Sequence, residues 1–78
     1  MNEDTRKRMA FDAQVYLRYK RAIRRSSQKK AQFHLGRFAG QWGMLSDVER
    51  QDWLVWVRSQ PGKSEMQHLA DAIQRWLR

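Results

Sequence analysis

The sequence predicts an all-α fold, a small bundle of three to four helices. Apolar residues recur at helical spacing in four successive segments, and two of those segments open with a Ser-x-x-Glu or Ser-x-x-Gln cap. No run shows the strict alternation of a half-buried strand. The chain has 78 residues, which suffices for a single helical domain, 1–78. A domain of this size buries only ~60% of the surface its unfolded chain exposes, so the core must be economical. Four Trp, three Phe and two Tyr supply large side chains for it.

The first segment, residues 4–25, places Phe11, Val15, Tyr16, Tyr19, Ala22 and Ile23 on one arc. Arg18, Lys20, Arg21, Arg24 and Arg25 fall on the opposite arc, giving a basic amphipathic helix. Ser26-Ser27 is the expected break, since serine competes for backbone hydrogen bonds. The second helix, residues 28–42, carries a stripe of Ala31, Leu35, Phe38, Ala39 and Trp42, with Gly43 suited to its C-terminal cap. Ser46-Asp47-Val48-Glu49 is a capping box that opens the third helix, residues 47–59, and Pro61-Gly62 stops it. That helix is apolar over a wide arc of Val48, Trp53, Val55, Trp56 and Val57. A second cap, Ser64-Glu65-Met66-Gln67, opens the fourth, residues 64–77. Its stripe of Met66, Leu69, Ala70, Ile73, Trp76 and Leu77 is the cleanest in the chain.

Charge points to function. The net charge is +8, and residues 1–37 carry all of it, with eleven Lys and Arg against three Asp and Glu. Residues 38–78 hold five of each sign. Between residues 13 and 45 there is no acidic residue. Charge segregated in this way attracts a polyanion. Arg18, Lys20, Arg21, Arg24, Arg25, Lys29, Lys30 and Arg37 are the candidate phosphate contacts. Contacts of that kind position a protein on DNA more than they read sequence. Leu17, an apolar residue among the arginines, is a candidate wedge between bases. Phe33, opposite its helix's stripe, is a candidate for stacking on a base or meeting a partner.

Other chemistries find little support. The chain has no cysteine, which removes disulfides, thiolate metal sites and a cysteine nucleophile. His34 and His68 stand on different helices with no evident carboxylate partner, so neither a metal site nor an acid–base pair is expected. Phosphate-cradling loops and nucleophile motifs are missing, so no enzyme and no cofactor is expected. No apolar run reaches the ~20 residues of a membrane span, and the N-terminus lacks a signal-peptide apolar region. The expectation is an intracellular protein, cytoplasmic, nucleoid-associated or nuclear, and not a secreted one.

The stretch Trp42-Gly-Met-Leu45-Ser46-Asp-Val-Glu49-Arg50-Gln-Asp-Trp53 resembles the junction of helices 2 and 3 in HMG-box domains. That family has a Trp, then Leu-Ser, then Glu with a basic residue, then an aromatic eleven positions after the Trp. Ala10-Phe11, ending thirty-one residues before Trp42, stands close to the spacing of the Ala-aromatic pair that opens such a domain. The resemblance spans roughly residues 6–58. It implies an HMG-box-like core followed by a C-terminal amphipathic helix, and an architectural or regulatory DNA-binding role with phosphate and minor-groove contacts.

Three features depart from the family pattern. The prolines before helix 1 and between helices 1 and 2 are absent. Asp12 stands where the family often has an apolar wedge, and a shifted register puts Val15 there. Pro61 cuts short what is one long helix in the family. Ala39 and Gly43 also resemble a helix-turn-helix motif, but Ser46 stands three residues after the Gly where that motif expects two.

Two other readings come from different classes. The basic helix suits docking on an acidic or nucleic-acid-mimicking protein surface, as a small viral or mobile-element inhibitor would use it. The stripe of Met66, Leu69, Ile73, Trp76 and Leu77 is a candidate homodimer face.

Overall fold

Four α-helices form the secondary structure of residues 1–61 and 65–76, which are the residues the computed structural model describes (the backbone only at Trp76). They are α1 (Glu3–Tyr19), α2 (Arg25–Met44), α3 (Asp47–Ser59) and α4 (Glu65–Trp76). The expected all-α bundle is therefore the fold. None of these helices is long and apolar enough to cross a membrane.

Each helix boundary has a local cause. Asn2 caps α1 by accepting the Thr5 N–H at 2.7 Å, and Glu3 and Asp4 sit at the positive end of the helix dipole. The helix stops at Tyr19 and not at Arg25, and the break falls at residues 20–24 instead of Ser26-Ser27. A continuous helix would place Arg18 over Arg21, Lys20 over Arg24 and Arg21 over Arg25, all unfavourable like-charge pairs. Ending early leaves Arg18 and the cap Lys20 beside the negative end of the α1 dipole. The two serines then fall in the first turn of α2.

At its other end, α2 runs through Gly43 to Met44, and Leu45 takes the cap with an extended backbone, φ −80° and ψ 146°. Ser46 is extended as well, so the chain turns sharply there and enters α3. The capping box closes as its sequence predicts. Glu49 N–H donates to Ser46 Oγ at 3.2 Å, and Ser46 N–H donates to Glu49 Oε1 at 3.0 Å. The α3 bounds match the expected 47–59. The Ser64 cap of α4 and Leu77 lie outside the described residues.

The core is built around three rings. Phe38 stacks on Trp42 with centroids 5.9 Å apart, and Trp53 meets both edge-on at 5.4 and 5.8 Å. This joins α2 to α3. Each indole N–H then reaches a different outer helix: Trp53 Nε1 donates to the Arg6 carbonyl at 3.3 Å, and Trp42 Nε1 donates to Gln74 Oε1 at 3.0 Å. Arg50 reinforces the second tie, with Nε donating to the Trp42 carbonyl at 3.1 Å and a terminal nitrogen to Gln74 Oε1 at 2.8 Å. Met66, Leu69, Ala70 and Ile73 of α4 complete the core.

Several expected core positions lie elsewhere. On α1 the buried residues are Met9, Ala10, Asp12 and Ala13, with Tyr16 and Leu17 packed against them. That face is turned from the predicted arc by roughly one residue's rotation, ~100°. Phe11 is exposed, and Ile23 lies beyond the end of the helix. Small side chains explain the difference: Ala10 and Ala13 let neighbouring helices approach closely, yet weigh little in a pattern ranked by hydrophobicity. On α3, Val48 and Val55 face solvent, and Leu54 joins Trp53 and Val57 inside.

Replacing Ser46 by Ala should lower stability by about 1 kcal/mol, the usual worth of an N-cap, in urea denaturation. The Ser46 backbone N–H, then its hydroxyl, then the nearby N-terminal amine, hold the Glu49 carboxyl below its ordinary range. Its charge therefore stabilises the fold fully above the ordinary glutamate pKa of ~4.3 and ceases to do so as pH falls through the lowered value. The stability gap between wild type and Glu49→Gln should accordingly be widest near neutrality and close in acid. Gly36 and Gly40 lie within α2 with open space around them, so Gly36→Ala and Gly40→Ala should each raise stability by roughly 0.4–1 kcal/mol.

Candidate nucleic-acid interface

The helices α1 and α2 form an antiparallel hairpin, as shown by contacts that step backwards along α2. Asp12 meets His34, and Tyr19 meets Lys30. The first contact is polar and buried. His34 Nδ1 lies 2.7 Å from Asp12 Oδ1, with Asp12 3% and His34 9% exposed. A carboxylate only accepts, so the imidazole Nδ1 carries the proton and donates. Arg37 Nε stands 3.7 Å from the other carboxylate oxygen, as an ion pair without hydrogen-bond geometry. His34 thus has the carboxylate partner that its sequence surroundings hide. The clue was that Asp12 shares a helical stripe with Met9, Ala13 and Tyr16.

Residues 20–24 link the two helices through a held turn. Ala22 N–H donates to the Tyr19 carbonyl at 3.0 Å, and the Gln28 side-chain amide donates to the Ala22 carbonyl at 2.7 Å. Arg24 is the N-cap of α2 and provides no side-chain cap, and no acidic residue occupies the first turn. The positive end of the α2 dipole therefore faces the link uncompensated.

Arg18, Lys20, Arg21, Arg24, Arg25, Lys29 and Lys30 all lie exposed at this end of the hairpin. Among the described residues none of these seven has a carboxylate within ion-pair distance. The Tyr19 ring draws two of them together, with Arg18 5.6 Å and Lys30 5.2 Å from its centroid. Arg37 stands apart, further along α2, paired with Asp12 and 5.7 Å over the Phe33 ring. The charge surrounds the hairpin end and does not lie along one face of the first helix.

The apolar candidates divide. Leu17 packs against the core and lines a groove with Glu65, His68 and Leu69 of α4, so it is not a projecting wedge. Val15 is half-buried in the groove between α1 and α2, beside Phe11, Arg18 and Lys30. Phe33 remains in solvent, 60% exposed. Ile23, assigned by periodicity to the core, is 98% exposed between Arg21 and Arg24. It is the apolar residue that does project among the cations.

Of the candidate dimer stripe, Met66, Leu69 and Ile73 are buried within the chain. The Trp76 side chain and Leu77 lie outside the described residues. Among the described residues no three His, Asp or Glu side chains gather as a set of metal ligands.

Asp12→Ala should cost roughly 1–3 kcal/mol, because it leaves the buried His34 N–H without an acceptor. Asp12→Asn, which keeps an acceptor oxygen, should cost less. A double-mutant cycle with His34→Ala should show coupling of about 1 kcal/mol in urea denaturation.

Comparison with known proteins adds no relative: no family model matches the chain, and no curated protein or solved structure matches it either.

Proposed function

We propose that this is a small DNA-binding protein that grips phosphates with the basic end of the α1–α2 hairpin. The observation that carries the reading is the group of seven exposed cations with no carboxylate partner among the described residues. Unpaired cations crowded at one end of a small fold raise its free energy through mutual repulsion, and a polyanion relieves that repulsion. The uncapped start of α2 adds partial positive charge in the same place. Flexible Lys and Arg side chains around a turn suit backbone contacts, which give affinity with low sequence specificity. Ile23, at the tip, is placed to enter a groove beside Arg21 and Arg24. An architectural or regulatory role on DNA fits this mode of binding.

The sequence resemblance to HMG-box domains from Trp42 through Leu45, Ser46 and Glu49 to Trp53 supports a DNA-binding reading. It lends nothing to bending by a wedge on the first helix, because Asp12 at that position is buried against His34.

The test is binding to random-sequence duplex DNA over a range of salt concentrations, by fluorescence anisotropy. Affinity should fall steeply and linearly with salt on logarithmic axes, with a slope of about −0.9 per phosphate neutralised. The variant Arg18→Glu, Arg21→Glu, Arg25→Glu should keep its helical circular dichroism and lose binding. Absence of wild-type binding at low salt would reject the proposal and favour docking of the same cations on an acidic protein.

A further inference from the structure

Two phenylalanines on the hairpin are left in water by a fold that has few large side chains to spare. Phe11 of α1 is 56% exposed and Phe33 of α2 is 60% exposed. Aromatic rings are among the side chains whose burial contributes most to a small core, so leaving two outside is a considerable omission for a domain of this size. They are also not scattered. Both rings pack edge-on against the imidazole of His34, with centroids 5.6 and 5.2 Å away and interplanar angles of 77° and 88°. His34 is in turn fixed by the 2.7 Å bond to Asp12. The two rings therefore rest on a support that is itself buried and hydrogen-bonded.

Cations border this aromatic pair. Arg37 lies over Phe33, while Arg18 and Lys30 line a groove together with Phe11. Rings seated against a buried imidazole, with Arg and Lys at the margin, provide what a single strand needs, faces for its bases and charges for its backbone. An Arg guanidinium lying over an aromatic ring is itself a stacking surface for a base. A duplex hides its base faces within its own stack and has no use for such rings.

We infer that Phe11 and Phe33, propped on His34, form a base-stacking platform that gives the protein a preference for single-stranded over duplex DNA. The inference rests on the proposed DNA binding and names the form of DNA. The phosphates fall on the hairpin cations and the unpaired bases on the two rings.

The test compares Phe11→Leu, Phe33→Leu and the double variant with wild type in fluorescence anisotropy. The probes are one mixed-sequence oligodeoxynucleotide as a single strand, the same strand annealed to its complement, an abasic strand of equal length, and a poly-glutamate peptide. Both positions are exposed, and leucine keeps an apolar contact with His34; circular dichroism checks the fold. The double variant should lose single-strand affinity roughly tenfold or more, while duplex affinity and its salt dependence stay unchanged. Wild type should bind the abasic strand as weakly as the double variant binds the normal one. Equal losses on single strand and duplex, or no loss on either, would overturn the platform while leaving DNA binding intact. A comparable loss on poly-glutamate would assign the rings to acidic peptides and overturn it too. If wild type bound neither form of DNA, the underlying reading would fail and the platform with it.

Discussion

Asp12 and His34 meet inside the α1–α2 hairpin, and the bond between them sets how the two helices lie against each other. Ala10 and Ala13 line α1's buried face and Ala31 is buried on α2. Such small side chains allow close approach but specify register poorly, because a flat surface slides with little loss of contact. A buried donor and acceptor behave differently, since a shift of one turn would leave both unsatisfied at a cost of several kcal/mol. The polar pair therefore specifies what the alanines permit, a use of buried polarity seen where register matters. Everything on the outer face of the hairpin follows from it. Tyr19 falls beside Lys30, Phe11 comes to the same imidazole as Phe33, and Arg37 reaches the second carboxylate oxygen.

A second constraint is the shortage of core. In a domain of this length each large side chain must hold more than one element, and the buried Trp42 and Trp53 do so. Their rings close on Phe38, while their N–H groups reach out to α1 through Arg6 and to α4 through Gln74. Buried indoles need such partners, so the hydrogen bonds that satisfy them also place the outer helices. Arg50 adds a charge at the C-terminal end of α2 and gives the Trp42 carbonyl, which also accepts the Leu45 N–H at 3.2 Å, a second donor.

The elements of this fold were legible in the sequence because their causes are local. The capping box at Ser46 and Glu49 and the stop at Pro61 involve residues a few positions apart, and the α3 bounds follow from them. The stripe of α4 was equally plain, since Met66, Leu69, Ala70 and Ile73 are all apolar and all inward. The rotation of α1 was not, because its buried face consists of alanines, a methionine and an aspartate, while its exposed face carries Phe11. Periodicity ranks residues by hydrophobicity and so set the buried face off by ~100°, with Tyr16 common to both. The basic residues of the candidate site were evident from composition, but their gathering around a turn depended on where α1 ends, at Tyr19 and not at Arg25. The Asp12–His34 pair is separated by 22 residues and only tertiary packing reveals it.

The charge at the hairpin end acts on the fold as well as on any partner. Crowded cations repel within the ~8 Å Debye length of physiological salt, and like charges one helical turn apart each cost a few tenths of a kcal/mol. The hairpin carries no carboxylate there to offset this; Glu65, across the groove on α4, is the acidic residue that approaches. Two local devices keep the end closed. The Gln28 amide holds the Ala22 carbonyl, and the Tyr19 ring accepts Arg18 and Lys30 together. Salt therefore acts in opposite directions on the two states. It screens the repulsion that burdens the free protein and weakens the attraction that would hold a polyanion. A phosphate backbone bound there, as proposed, would supply the missing negative charge, and the free energy of the repulsion would return as part of the binding energy. The hairpin carries so concentrated a charge on so small a core because it is anchored at its middle by Asp12 and His34.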